Sequence, residues 1–186
     1  MMLSEILVLD LERQYAFAGI SGRKATTWGV LRHMFSPRFL PVVLCRLAHA
    51  LCSRGWMLPA RFVSALNVVF FGIEIAMRCE IGPGLCFPHT VGTVIGALRI
   101  GRDAVIYHGV TVGAKEMDVG YDSEARPIIG DNVVIGSGAK VLGGITVGNN
   151  VIIGANAVVV HSVPDNVVVG GVPAHILRHH SESTVV

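Results

Sequence analysis

"RPIIGDNVVIGSGAKVLGGITVGNNVIIGANAVVV", residues 126–160, keeps a beat of six. Aliphatic residues stand at Ile129, Ile135, Val141, Val147, Ile153 and Val159 without a slip. Four places after each comes another apolar residue: Val133, Ala139, Ile145, Val151, Ala157 and Val163. Glycine follows the aliphatic at Gly130, Gly136, Gly148 and Gly154. A period of six fits neither a helix nor the two-residue alternation of a half-buried strand. It fits a parallel β-helix of hexapeptides, in which three units make one triangular coil and each supplies a short flat strand and a corner. Aliphatics then stack inward as ladders, and glycines allow tight corners and backbone conformations that other residues resist. An ordinary all-β sandwich is the competing architecture, but nothing in it enforces so long a beat.

The same beat runs upstream through Ile75, Ile81 and Phe87, then, after one extra residue, Val94, Ile100, Ile106 and Val112. Between Val112 and Ile129 lies "GAKEMDVGYDSEARPI", charged and out of phase. It reads as a loop ejected from one coil over 114–127, and loops on rigid scaffolds often carry specificity. The expected organisation is a helical N-terminal cap over 1–72, the β-helix over 73–172 and a C-terminal tail over 173–186. Within the cap, 38–55 and 58–72 read as helices, each closed by a glycine suited to a C-cap. Both are strongly apolar for surface helices. Covering the end of the solenoid or packing between subunits explains that best. A peripheral membrane contact through these helices is the second reading, and no basic face speaks for it.

The composition agrees with this architecture. The 186 residues are 52% hydrophobic but only 6% aromatic, with 22 glycines, as expected where short Val and Ile strands fill a core. No run of about 20 apolar residues offers a membrane span, and the acidic start MMLSEILVLDLERQ lacks the basic region of a signal peptide. A cytoplasmic protein is expected. A net charge of +2 without a basic stripe or stacking aromatics gives no case for nucleic acid. Cys45, Cys52, Cys79 and Cys86 show no CxxC spacing and read as reduced thiols.

Two histidines share one slot. His89 lies two residues after Phe87, and His108 two after Ile106. Coils stack about 4.8 Å apart, so the imidazoles should be neighbours on one face. Glu74, next to Ile75, is expected to approach His89. An imidazole accepts a proton at neutral pH, and a carboxylate on its second nitrogen fixes the tautomer. A solvated loop histidine is the plainer reading of either residue from the pattern alone.

Taken together, "GIEI", "IGPGLCFPHTVG", "VIYHGVTVG" and the run from Arg126 to Leu177 resemble the serine acetyltransferase family of hexapeptide-repeat acyltransferases. The likeness covers 72–178, with a weaker echo in "RLAHAL". It implies an all-β fold with a helical N-terminal segment, a left-handed parallel β-helix of hexapeptide repeats. It also implies a homotrimer, acetyl-CoA as co-substrate, and active sites in grooves between subunits. In the family the catalytic base falls at His89, and an aspartate supports it fifteen residues earlier, where this chain has Glu74. The resemblance further places Gly113, Ala114, Ser137 and Ala155 along the coenzyme groove, with Arg178 near the phosphates. No metal is implied.

Departures from the family concern the acceptor. Pro88 stands where the family has an aspartate, and Ala125-Arg126 where it has Arg-His. Arg126 remains to meet an acceptor carboxylate, and His108 to touch the acceptor or the thioester. The shortened N-terminal segment resembles acetyltransferases of exopolysaccharide clusters, of the colanic acid type. A sugar hydroxyl in polysaccharide biosynthesis is therefore the favoured acceptor, with L-serine as the alternative. A zinc-binding or purely structural hexapeptide module is a further alternative, which would need three converging ligands. The tail "SESTVV" ends in valine and gives little reason to expect a docking partner.

Overall fold

The computed structural model describes residues 1–20, 22–116 and 120–179. Residues 117–119 of the ejected loop and the end of the tail, including SESTVV, lie outside the described residues. Four helices, α1 (Leu3–Phe17), α2 (Thr27–His33), α3 (Leu40–Ser53) and α4 (Met57–Phe71), precede the first strand at Ile73–Ile75. From there the chain winds around a triangular prism. The first face stacks Ile73–Ile75, Thr93–Ile95, Thr111–Gly113, Lys140–Leu142 and Val158–Val159. The second stacks Glu80–Ile81, Arg99–Ile100, Ile128–Ile129 and Thr146–Val147. Val105–Ile106, Val134–Ile135, Ile152–Ile153 and Val167–Gly171 form the third, all parallel. Ala174–His179 then turns back antiparallel on Val167–Gly171, so the segment expected as tail begins as a strand sealing the last coil.

The aliphatic ladders fill the prism. Ile129, Ile135, Val141, Val147, Ile153 and Val159 are all buried, and each fully buried Val or Ile contributes about 1.5–3 kcal/mol. Upstream the beat slips. Val94, expected inward, is 41% exposed, and its neighbour Ile95 is 1% exposed and pairs with Val112. Cys86 pairs with Val105 and Val94 with Thr111, so the corner holding His89 is two residues longer than the one holding His108. One extra residue was expected. The second shifts the inward position from Val94 to Ile95. The register is longer across the expected loop: Val141 pairs with Val159 eighteen residues on, whereas Val112 pairs with Val141 twenty-nine on.

Glycine and asparagine supply most of the left-handed corner positions. Asn132, Asn150 and Asn166 hold left-handed backbone (φ 55°, 54° and 59°) on the edge between the second and third faces. Their amides form a ladder, Asn132 Nδ2 to Asn150 Oδ1 and Asn150 Nδ2 to Asn166 Oδ1, each 2.9 Å. Asparagine tolerates this region because its short side chain bonds locally. The glycines after the aliphatics serve close stacking instead: a Cβ on Gly130 would stand 2.6 Å from the carbonyl oxygen of Gly148.

The helices clamp the first coil through a buried ion pair. Arg46 of α3 donates from Nε and Nη2 to the two oxygens of Asp10 in α1, both at 2.9 Å. Gly84 N and Leu85 N donate to Asp10 Oδ1 at 2.8 Å, while Arg46 also donates to the carbonyls of Ile81 and Gly82. Burial pushes the Asp10 carboxyl above its usual range, and Arg46 and the two N–H donors work against that. Asp10 falls in the same buried stripe as Leu7, Leu11 and Tyr15, which interrupts the apolar period that would have revealed α1 in the sequence. On α4, Leu58, Phe62 and Val69 form an exposed apolar stripe, with Phe70 exposed beside it. Among the described residues no helix is long and apolar enough to cross a membrane.

Candidate active site

One edge of the prism gathers four of the nine residues expected at the site. His89, His108, Ser137 and Ala155 each stand two residues past a buried third-face position, Phe87, Ile106, Ile135 and Ile153, so they form a column where the third face turns into the first. Glycine shapes the turn: Gly92, Gly109 and Gly138 have φ of 74°, 69° and 73°. Gly109 N donates to Val91 O at 3.0 Å, and Gly138 N to His108 O at 2.9 Å. The two imidazoles meet edge to face, with ring centroids 5.7 Å apart. His89 is exposed at the mouth of a cleft of about 390 Å³ between the first coil and the helices.

Glu74 is not His89's hydrogen-bonded partner in this chain. It lies on the outer side of the first face, pairs in register with Val94 and is exposed. Among the described residues no hydrogen bond or ion pair joins it to His89.

Arg126 belongs to another edge, where the first face turns into the second. Its Nη1 donates to Gly96 O at 2.7 Å, and its guanidinium lies 3.8 Å over the Tyr121 ring. Tyr121 in turn donates to Ala97 O at 2.9 Å. In the chain by itself, then, Arg126 fastens the base of the ejected loop. Gly113 and Ala114 share this second edge, and no heavy atom would meet a Cβ on Gly113 within 4 Å. Arg178 pairs with Val168 inside the third face. Within one chain the histidines, Ser137 and Ala155 therefore stand on one edge and Gly113, Ala114 and Arg126 on another.

The column suits a long pantetheine-like ligand. Its side chains beyond the histidines are small, and the N–H groups of Ser137 and Ala155 donate to no acceptor among the described residues. An extended amide-bearing chain lying along such an edge meets free donors. Among the described residues no three His, Cys, Asp or Glu side chains converge on a metal-sized site. Cys45, Cys79 and Cys86 are buried free thiols pushed up to about 11, about 12 and about 12 by desolvation, and Cys52 is half-buried.

Fold and edge together define a hexapeptide-repeat transferase. Residues 126–161 match the model of the bacterial transferase hexapeptide of six repeats. The chain is 41% identical over 159 residues to a serine acetyltransferase of Mycobacterium tuberculosis, covering 80% of this chain and 68% of that protein. It is 45% identical over 133 residues to a serine acetyltransferase of Staphylococcus xylosus, covering 71% of this chain and 60% of that protein. The crystal structure of a Brucella abortus serine acetyltransferase in complex with coenzyme A superposes with a TM-score of 0.81 at 32% identity, covering 96% of this chain and 68% of that one. The chain belongs to the serine acetyltransferase family of acyltransferases, and its prism is their left-handed parallel β-helix. It spans 60% to 68% of the length of these relatives.

Sequence reasoning missed Arg38, which lines the His89 cleft from the turn between α2 and α3. That turn carries no repeat, and only the fold brings it to the histidine.

Proposed function

We propose that the protein is an L-serine O-acetyltransferase with acetyl-CoA as donor and His89 as the base. The observation that carries this reading is the exposed His89–His108 pair at the head of an edge with free N–H donors. The relatives, named serine acetyltransferases, support serine over the sugar hydroxyl that the resemblance to exopolysaccharide acetyltransferases had favoured. In the reaction His89 takes the proton from the serine hydroxyl as its oxygen attacks the thioester carbonyl. A new C–O bond forms while backbone N–H groups along the edge hold the oxyanion. The C–S bond then breaks, and the imidazolium returns the proton to the thiolate, giving O-acetylserine and free coenzyme A. Glu74 supports His89 as a nearby charge, and His108 packs the ring in place.

A homotrimer completes this site. Gly113, Ala114 and Arg126 stand on a different edge from the histidine column, so two edges from adjacent subunits must face each other to share one groove. The exposed stripe of α4 suits burial against a further subunit, with contact at a membrane surface as the second reading of its apolar side chains. Free buried thiols fit a reducing cytoplasm. The test measures thiol release from acetyl-CoA with L-serine against free sugars and oligosaccharides. Saturable turnover with serine is expected; turnover with a sugar and none with serine would reverse the assignment.

A further inference from the structure

We propose that Arg38 holds the carboxylate of the acceptor in the His89 cleft, an inference that rests on the serine reading above. The cleft walls are Phe70, Phe71, Pro88 and Val91, with Thr90 and Arg38 as the polar members beside His89. Arg38 is the single charged side chain, other than a histidine, among these lining residues. It is exposed and makes no hydrogen bond or ion pair among the described residues. Thr90 already donates its hydroxyl hydrogen to Phe71 O at 2.8 Å, so its oxygen is left to accept.

The guanidinium starts from a fixed backbone. Ser36 N donates to His33 O at 2.8 Å, and Ser36 O accepts from Phe39 N at 2.9 Å and Leu40 N at 2.8 Å. Phe39 is buried, while the adjacent Arg38 is exposed and lines the cleft. A guanidinium presents a planar fork that matches a carboxylate, and such charge-assisted pairs strengthen where apolar walls exclude water. Arg126, the residue expected for this role, already donates to Gly96 O and lies over the Tyr121 ring. A hydroxy acid entering the cleft would thus present its hydroxyl to His89 and its carboxylate to Arg38. Its ammonium would find the Thr90 oxygen and no carboxylate among the lining residues.

Steady-state kinetics of the full chain and of Arg38→Met and Arg38→Lys test this with L-serine, L-serinamide and acetyl-CoA each varied in turn. Arg38→Met is expected to raise KM for serine about 10- to 100-fold, leaving KM for serinamide and for acetyl-CoA unmoved. Arg38→Lys should recover part of the loss. An unmoved serine KM would overturn the inference. So would an equal loss with serinamide, which marks a structural role, or a loss confined to acetyl-CoA, which marks a phosphate contact. Wild-type protein inert toward serine would remove the serine reading and this inference with it. Wild-type turnover alongside an indifferent Arg38→Met would remove the inference alone.

Discussion

The rings of His89 and His108 stand edge to face at 82°, their centroids 5.7 Å apart, one coil above the other. The lower ring limits where the upper one can swing. Replacing His108 by alanine is expected to reduce kcat about 10- to 100-fold through misplacement of His89. His108→Phe, which keeps a ring edge in the same place, should retain most of the rate. An equal loss in both variants would show that His108 acts through its nitrogens.

Glu74 faces outward beside Val94 rather than bonding the imidazole. Glu74→Gln should therefore cost only a few-fold in kcat, less than the 10²- to 10⁴-fold typical of losing a general base. A loss as large as that of the His89 variant would mean that the two groups act as one unit in the assembled protein.

Gly130 and Gly113 offer a paired test of packing against binding. A methyl on Gly130 would collide with the Gly148 carbonyl, whereas one on Gly113 meets open space. Gly130→Ala should lower stability by about 1–3 kcal/mol in urea unfolding. Gly113→Ala should leave stability unchanged and raise KM for acetyl-CoA, because its edge lines the proposed coenzyme groove. The reverse pattern would contradict the register of the coils.

The buried Asp10–Arg46 pair predicts how firmly the helices are held to the first coil. Asp10→Asn should destabilise by about 3–5 kcal/mol, since it leaves the Arg46 guanidinium buried without its counter-charge. The double variant Asp10→Leu, Arg46→Met should recover much of that loss in thermal unfolding. A single variant as stable as the wild type would show that the pair does not hold the helices to the first coil.

The downstream prism could be read directly, because inward aliphatics spaced six apart repeat in sequence from Ile129 to Val159. The upstream coil could not. Its longer corner exchanges Val94 for Ile95, and both residues are equally apolar on paper. The pair His89–His108 was within reach because each keeps the same offset from a buried apolar residue, whereas Ser137 and Ala155 came from the family resemblance. Arg38 was not, since its place depends on how the helices fold over the first coil. Glu74 was assigned by position in a family, and in the chain it faces outward beside Val94.

The central claim is tested most directly by His89→Ala, assayed for thiol release from acetyl-CoA in the presence of L-serine, with mass measured by light scattering. The variant should keep the oligomer of the wild type and lose at least about a hundredfold in kcat. An intact variant turning over at close to the wild-type rate would contradict the assignment of His89 as the base.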